Sequence, residues 1–248
     1  MIYDLNRTLI ETMIRCAIKK LNDDPERSVR NLVDMALSFS GGESQQSFFE
    51  AIQRMLEDES SAYYRLIQDL VANTDGERLV SFGMNIGNNS CMAGVKKIRE
   101  VGMRDHIKIP WSISLEMSGE DYVRHAQGYH SLIAQGEELG IYTWMLYVPD
   151  HPEQVLELIE VFPQCAFIMI CSPSDITPAL LDEADPIDHL MFVVEYRDNV
   201  EEACALLRAR KFLYSVCFDG QEEFREEMLH EDQNFFQKTL HEILQELT

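Results

Sequence analysis

From Pro110 onward the chain alternates two kinds of segment, and this alternation limits the possible folds more than any other feature. The runs WSISLEM (111–117), IYTWMLYV (141–148), AFIMICS (166–172), HLMFVVEY (189–196) and FLYSVCF (212–218) are short and almost continuously apolar. Between them stand GEDYVRHAQGYHSLIAQGEELG (119–140), PEQVLELIEVF (152–162), ITPALLDEA (176–184) and VEEACALLRAR (200–210), which read as helices. Near-continuous apolar strands belong to parallel sheets covered on both faces. Strands alternating with helical patterns are the signature of βα units. Right-handed crossovers of this length place consecutive strands side by side. The expected fold is therefore α/β, with a five-stranded parallel βα unit in sequential order, either an open parallel sheet or one that resembles a partial (β/α) barrel.

The first hundred residues follow a helical pattern. Leu5, Leu9, Met13, Ile14, Ala17, Ile18 and Leu21 recur at helical spacing and predict a helix over 4–21. NDDP at 22–25 ends it, and Pro25 suits the first turn of a second helix through about Phe39. Gly41-Gly42 breaks the chain before helices expected over 44–58 and 61–72. Segment 77–102 is ambiguous: LVSFGMNIG suits a strand or a helix, SCMAGVKKIRE suits a helix, and Gly87-Asn88-Asn89 reads as a loop between them. Helix and loop are expected over 79–86 rather than a sixth strand. The expected organisation is a helical N-terminal region, 1–108, followed by a partial β/α barrel with C-terminal helices, 109–248.

Charge narrows the partners. With 21 basic and 43 acidic residues in 248, the formal net charge is −22. Such a surface repels phosphate backbones and anionic lipid, so neither nucleic acid nor a membrane is an expected partner. No apolar run approaches the roughly 20 residues that span a bilayer. The start MIYDLNRTLIETMIRC shows no basic region, apolar stretch or cleavage site of a secretory signal, so a cytoplasmic location is expected.

Motifs that carry chemistry are sparse. The six cysteines, at 16, 91, 165, 171, 204 and 217, form no CxxC or similar cluster of the kind that holds zinc or iron–sulfur centres. They read as small buried hydrophobes, with a reactive Cys171 or Cys217 at a strand end as the minority reading. No metal site is expected. His125 and His130 are five apart, about 140° round a helix, and do not share a face. GMNIGNNS lacks the spacing of a phosphate loop and reads as a connection between the two regions. DHPE at 150–153 reads as a helix start, with Asp150 near the N-cap and Pro152 in the first turn.

Parallel βα folds bind ligands at the carboxyl ends of their strands. Here those ends bring together Glu116, Tyr147, Asp150, His151, Cys171, Glu195 and Cys217 as candidate ligand-binding residues. Buried carboxylates at Glu116 and Glu195 would be functional candidates. The plainer alternative has them leaning into solvent or pairing with Arg124 or Arg197.

Several of these segments also resemble a known family. KIPWSISLEM, LIAQGEELGIYTWMLYV and VFPQCAFIMICSPSDITPALLDEA, with NDDPERSVRNLVDMA and DESSAYYRLIQDLVANTD, resemble a clostridial-type branch of the radical S-adenosylmethionine (SAM) enzymes. The resemblance covers most of residues 15–218. It implies a barrel core behind a helical extension, with CxxxCxxC after the first core strand and GGEP at the end of the second. This chain departs from both motifs. The first position reads EMSGEDYVRHAQGYHS, without a cysteine, and the second reads YVPDHPE. Five strands stand where that core usually has six. Three thiolates hold the [4Fe–4S] cluster in such enzymes and leave one iron open for SAM. The resemblance thus implies a pseudoenzyme with no iron–sulfur cluster and no SAM site.

Two functions follow as expectations. The first is a non-catalytic binding or accessory scaffold for a protein or peptide partner, a sibling radical enzyme among them, or for another copy of itself. The second is a small-molecule enzyme using Glu116, Asp150, His151 or Glu195 as acid or base. Any pocket is expected at the strand carboxyl ends, lined by Glu116, Tyr147, His151, Cys171, Glu195 and Cys217. Partial plugging is expected from Tyr122, Tyr129, Tyr147 or the helix 233–247. That helix is amphipathic, with Phe235, Phe236, Leu240, Ile243, Leu244 and Leu247 as its apolar face, and would cover the edge left by the missing strand.

Overall fold

The computed structural model describes residues 2–21, 24–39, 50–56 and 62–217. Five strands, β1 (Ser112–Glu116), β2 (Thr143–Tyr147), β3 (Ala166–Cys171), β4 (Leu190–Glu195) and β5 (Tyr214–Cys217), form one sheet in the order β1-β2-β3-β4-β5. Every neighbouring pair is parallel. The winding is that of a β/α barrel left unclosed. The helices over 44–58 and 233–247 read from the sequence lie partly and wholly outside the described residues; a helical turn is seen at 50–55. No helix of the described residues is long and apolar enough to cross a membrane.

The register sorts every strand residue to one of two faces. On the first, Ile113, Trp144, Phe167 and Leu190 lie in one row, and Leu115, Leu146, Met169, Phe192 and Tyr214 in the next. This face meets all four crossover helices in one continuous core. Ile133 comes from the helix Gly119–Leu139, Leu158 and Ile159 from Leu156–Glu160, Leu180 and Leu181 from Pro178–Ala184, and Ala203 and Leu207 from Val200–Ala209. Each fully buried Phe, Leu or Met here contributes about 1.5–3 kcal/mol of transfer free energy. Gly136 is required by this packing, because a Cβ there would sit 2.4 Å from the Trp144 ring.

The second face carries no crossover helix. Met145, Ile168 and Met191 form one row, and Tyr147, Ile170, Val193 and Ser215 the next, all of them half-buried. The strands are thus unequally covered, which differs from the expectation that helices lie on both faces.

Local structure departs from the sequence reading in two places. Residues 85–94 are not a loop: the α-helix Gly76–Met84 runs directly into a π-helix, Asn85–Gly94, and on into the α-helix Val95–Asp105. The side chains that make this run look like a loop are used for tertiary bonds instead. Asn85 Nδ2 donates to the carbonyls of Pro163 (3.0 Å) and Cys165 (2.7 Å). Asn89 Nδ2 donates to Asn85 Oδ1 and to the Gln164 carbonyl, both at 2.9 Å. Ser90 and Thr143 hydroxyls bond at 2.6 Å. Gly94 crosses Gly140, which caps the helix Gly119–Leu139 at φ +99°; a Cβ on Gly94 would lie 2.3 Å from the Gly140 carbonyl. The second departure is at 152–162. His151, in the left-handed region, precedes a 3₁₀ turn, Pro152–Val155, and only Leu156–Glu160 is α-helical. Asp150 is therefore not the N-cap of that helix.

The helical run 76–105 closes the amino-terminal edge of the sheet, and Arg78 is its anchor. Its side chain is 4% exposed. Nη1 donates to the Ile187 carbonyl, and Nη2 donates to the carbonyl and Oδ1 of Asp185, each at 2.9 Å. The guanidinium carbon stands 3.9 Å from the centre of the Phe212 ring. Asp75 caps the same helix while its own N–H donates to the Lys211 carbonyl at 2.9 Å. One charged side chain thus ties the helical region to the starts of β4 and β5. Arg78→Ala is expected to lower unfolding free energy by about 2–4 kcal/mol, since it orphans buried carbonyls and removes a stacked cation. Arg78→Lys should recover less than half, because an ammonium cannot form the planar fork. Denaturant titration of both variants checks this; a lysine variant as stable as the parent would show that charge alone suffices.

Candidate functional site

The carboxyl ends of the strands divide the sequence-predicted residues into three groups. Glu116 and Tyr147 are register partners on the second sheet face, and Glu195 and Cys217 are partners on the same face. Cys171 lies on the opposite face, 1% exposed within the core. Asp150 and His151 stand in the loop after β2, exposed at the surface. No single pocket wall gathers all seven.

On the second face Tyr147 reaches across β3 and donates its hydroxyl to Glu195 Oε1 at 3.1 Å. The Glu195 carboxylate holds that phenolic proton and raises the Tyr147 pKa above its ordinary value. Arg197 grips both oxygens of Glu195 at 3.2 Å. Glu195 is thus a paired carboxylate, as the nearby arginine allowed, whereas Arg124 pairs with Glu120 and Glu116 is exposed.

The exits of β1 and β2 are sewn together. Met117 N–H donates to the Tyr147 carbonyl at 3.0 Å. Gly119 N–H donates to the Asp150 carbonyl (3.2 Å) and to Asp150 Oδ1 (3.1 Å). A Cβ on Gly119 would meet His151 Cβ at 2.6 Å. Ser118 then caps the following helix by accepting from Asp121 N–H at 3.0 Å. Only Met117 and Ser118 separate β1 from that helix. Tyr122 and His130 bond at 3.0 Å across a break at His125, and Tyr122, in the first turn after β1, packs by Tyr129 in the core.

The residues at these exits do not fit an iron–sulfur cluster. No cysteine occurs from 116 to 131, and the strand-end thiol Cys171 is buried on the far face. Burial first, then the negative charge of Asp175, pushes its pKa well above the ordinary thiol value. Among the described residues no group of three His, Cys, Asp or Glu is arranged to hold a metal ion.

Sequence reasoning missed two features. Asp175 is half-buried with Oδ2 lacking a partner, and burial raises its pKa; only its place after the third strand pointed there. The second is the sheet face itself. Met145, Ile168, Ile170, Met191 and Val193 make a contiguous apolar centre. Around it run Ser90–Thr143 below, Ser114 and Ser215 at the sides, and Glu116, Tyr147 and Glu195 above. An apolar centre inside a polar rim is the anatomy of a binding interface, and methionines such as Met145 and Met191, one on each side of Ile168, adapt to varied partners. A separate cleft of about 280 Å³ lies at the opposite edge, lined by Asn89, Ala93, Glu137, Tyr142 and Gln164.

The chain matches no protein-family model, and no curated protein or solved structure shows significant similarity to it.

The thiols supply a direct check. Burial pushes Cys165 and Cys171 up, so both are protonated at pH 8, whereas Cys16 is exposed. Iodoacetamide at pH 8 should alkylate Cys16 in native protein and leave Cys165 and Cys171 unmodified until denaturant is added. Native alkylation of Cys171 as fast as that of Cys16 would contradict its placement in the core.

Proposed function

We propose that this chain is a non-catalytic scaffold of radical-SAM-like descent that acts as a cytoplasmic binding or accessory protein. Its ligand on this reading is a protein or peptide segment, with a sibling radical enzyme or a second copy as candidate sources. The observation that carries the reading is the sheet face opposite the helices, an apolar centre of Met145, Ile168, Ile170, Met191 and Val193 within a polar rim. A surface of that composition suits an amphipathic segment.

The strand ends support the same reading. Where the resembled enzymes place a cluster loop, Gly119, Asp150 and His151 are packed and hydrogen-bonded together. Three of the four acids or bases considered for catalysis have a structural engagement: Asp150 with Gly119, His151 with Glu153 at 3.1 Å, and Glu195 with Tyr147 and Arg197, while Glu116 is exposed. Val148 is fully buried beside the loop where the resembled glycines would let backbone meet SAM.

The test is anaerobic reconstitution with iron and sulfide, followed by a visible spectrum and a calorimetric titration with SAM. A spectrum without charge-transfer absorption after desalting, and no saturable heat, are expected. A stoichiometric cluster, or SAM binding at micromolar concentration, would overturn the proposal.

A further inference from the structure

We propose that the cleft at the amino-terminal edge of the sheet is a binding site for a small organic ammonium ion, with Glu137 as its counter-ion. The inference goes beyond the scaffold reading and does not depend on it. The cleft lies at the opposite end of the strands from Tyr147 and Glu195.

Four parts of the chain build it. Asn89 and Ala93 come from the π-helix Asn85–Gly94, and Glu137 from the last turn of the helix Gly119–Leu139. Tyr142 and Gln164 come from the residues that lead into β2 and β3. Gly94 lets these parts meet. Its missing side chain admits the Gly140 carbonyl, and a Cβ there would also stand 3.2 Å from Tyr142 Cδ2. Tyr142 thus lies against the π-helix. Asn89 Nδ2 fastens the other wall by donating to the Gln164 carbonyl at 2.9 Å. The volume, about 280 Å³, falls just below the roughly 300–1,000 Å³ of ligand pockets, which limits the occupant to a small molecule. π-Helical turns are rare, and they concentrate at functional sites.

The chemistry of the lining selects a cation. Glu137 is the one charged residue in it. Its half-buried carboxylate accepts a single bond, from the Cys165 thiol at 3.5 Å. Among the described residues no cation pairs with this carboxylate; Lys97 Nζ is spent on the Glu137 backbone carbonyl, at 3.2 Å. The helix end adds to the field. The last turn of Gly119–Leu139 carries Glu137 and Glu138 and no basic residue, so two acids sit where the macrodipole already places about half a negative charge. Like charges so placed destabilise the fold, and a bound cation offsets them. Tyr142 supplies an aromatic ring, and its hydroxyl stays protonated because burial, then the charge of Glu137, raises its pKa. An aromatic ring beside a carboxylate recognises an organic ammonium ion. A metal ion fits less well: among the described residues no three His, Cys, Asp or Glu side chains gather to hold one.

Titration of the full, ¹⁵N-labelled chain with n-butylammonium chloride at pH 7 and constant ionic strength tests this, read from backbone and side-chain amide resonances. Saturable shifts are expected at Asn89, Ala93 and Gln164, and n-butanol, the neutral analogue, should give none. This comparison needs no variant. Glu137→Gln should weaken binding about tenfold, through loss of a charge-assisted hydrogen bond. Glu138→Gln removes the same charge from an exposed neighbour. It should change binding by less than about twofold, since solvent and salt screen that charge. Amide spectra that otherwise superimpose on the parent's show that both variants keep the fold. Shifts that rise linearly without saturating, that spread over the acidic surface, that butanol reproduces, or that survive Glu137→Gln each overturn the proposal. None of these results bears on the scaffold reading, which the cluster and SAM experiments test separately.

Discussion

The handedness of four βα crossovers governs this molecule. A right-handed crossover between adjacent parallel strands places its helix on a fixed side of the sheet. Because the strands run in sequential order, the same rule applied four times puts all four helices on one side. Closing such a winding into a barrel would hide the other side as a lumen. With five strands among the described residues and an open order, that side carries no crossover helix. The dense core of Trp144, Leu146, Phe167, Met169 and Phe192 and the half-buried row of Met145, Ile168 and Met191 therefore have one cause.

Both edges of the sheet are fixed by polar groups, in different ways. At the amino ends, Arg78, Asn85, Asn89 and Ser90 satisfy carbonyls and a hydroxyl that the strand starts would leave buried. Buried polar groups left unpaired cost about 1–3 kcal/mol each, so this seam specifies one position of the helical layer. At the carboxyl ends the bonds run between loops. Gly119 meets Asp150, and Tyr147 meets Glu195. The edge that serves as a ligand site in related architectures is here partly closed by its own backbone.

Much of this was legible in the sequence. The five apolar runs name the five strands to within two residues, because strand length and turn residues agree with the hydrophobic pattern. What was not legible depended on tertiary partners. Asn88, Asn89 and Ser90 favour loops in isolation because their side chains compete with backbone bonds. In the fold, Asn89 and Ser90 bond to Gln164 and Thr143 instead, and the backbone stays helical. The strand ends were legible as a set, but not as faces. Glu116, Tyr147 and Glu195 share one face and Cys171 takes the other, because side chains alternate and the runs are apolar at almost every position. For the same reason the unequal cover of the sheet was hidden: Met145 and Leu146 look alike in sequence.

The one-sided winding, with a half-buried apolar face that carries no crossover helix, underlies both the fold and the functional reading. Methyl nuclear Overhauser spectroscopy on isoleucine-, leucine- and valine-labelled protein tests it most directly, through the side chains of Ile168 and Ile170. The account predicts contacts from their δ1 methyls to one another and to Val193, with none to the crossover-helix leucines Leu158, Leu181 and Leu207. Contacts from Ile168 or Ile170 to any of those leucines would place a crossover helix on the second face and contradict it.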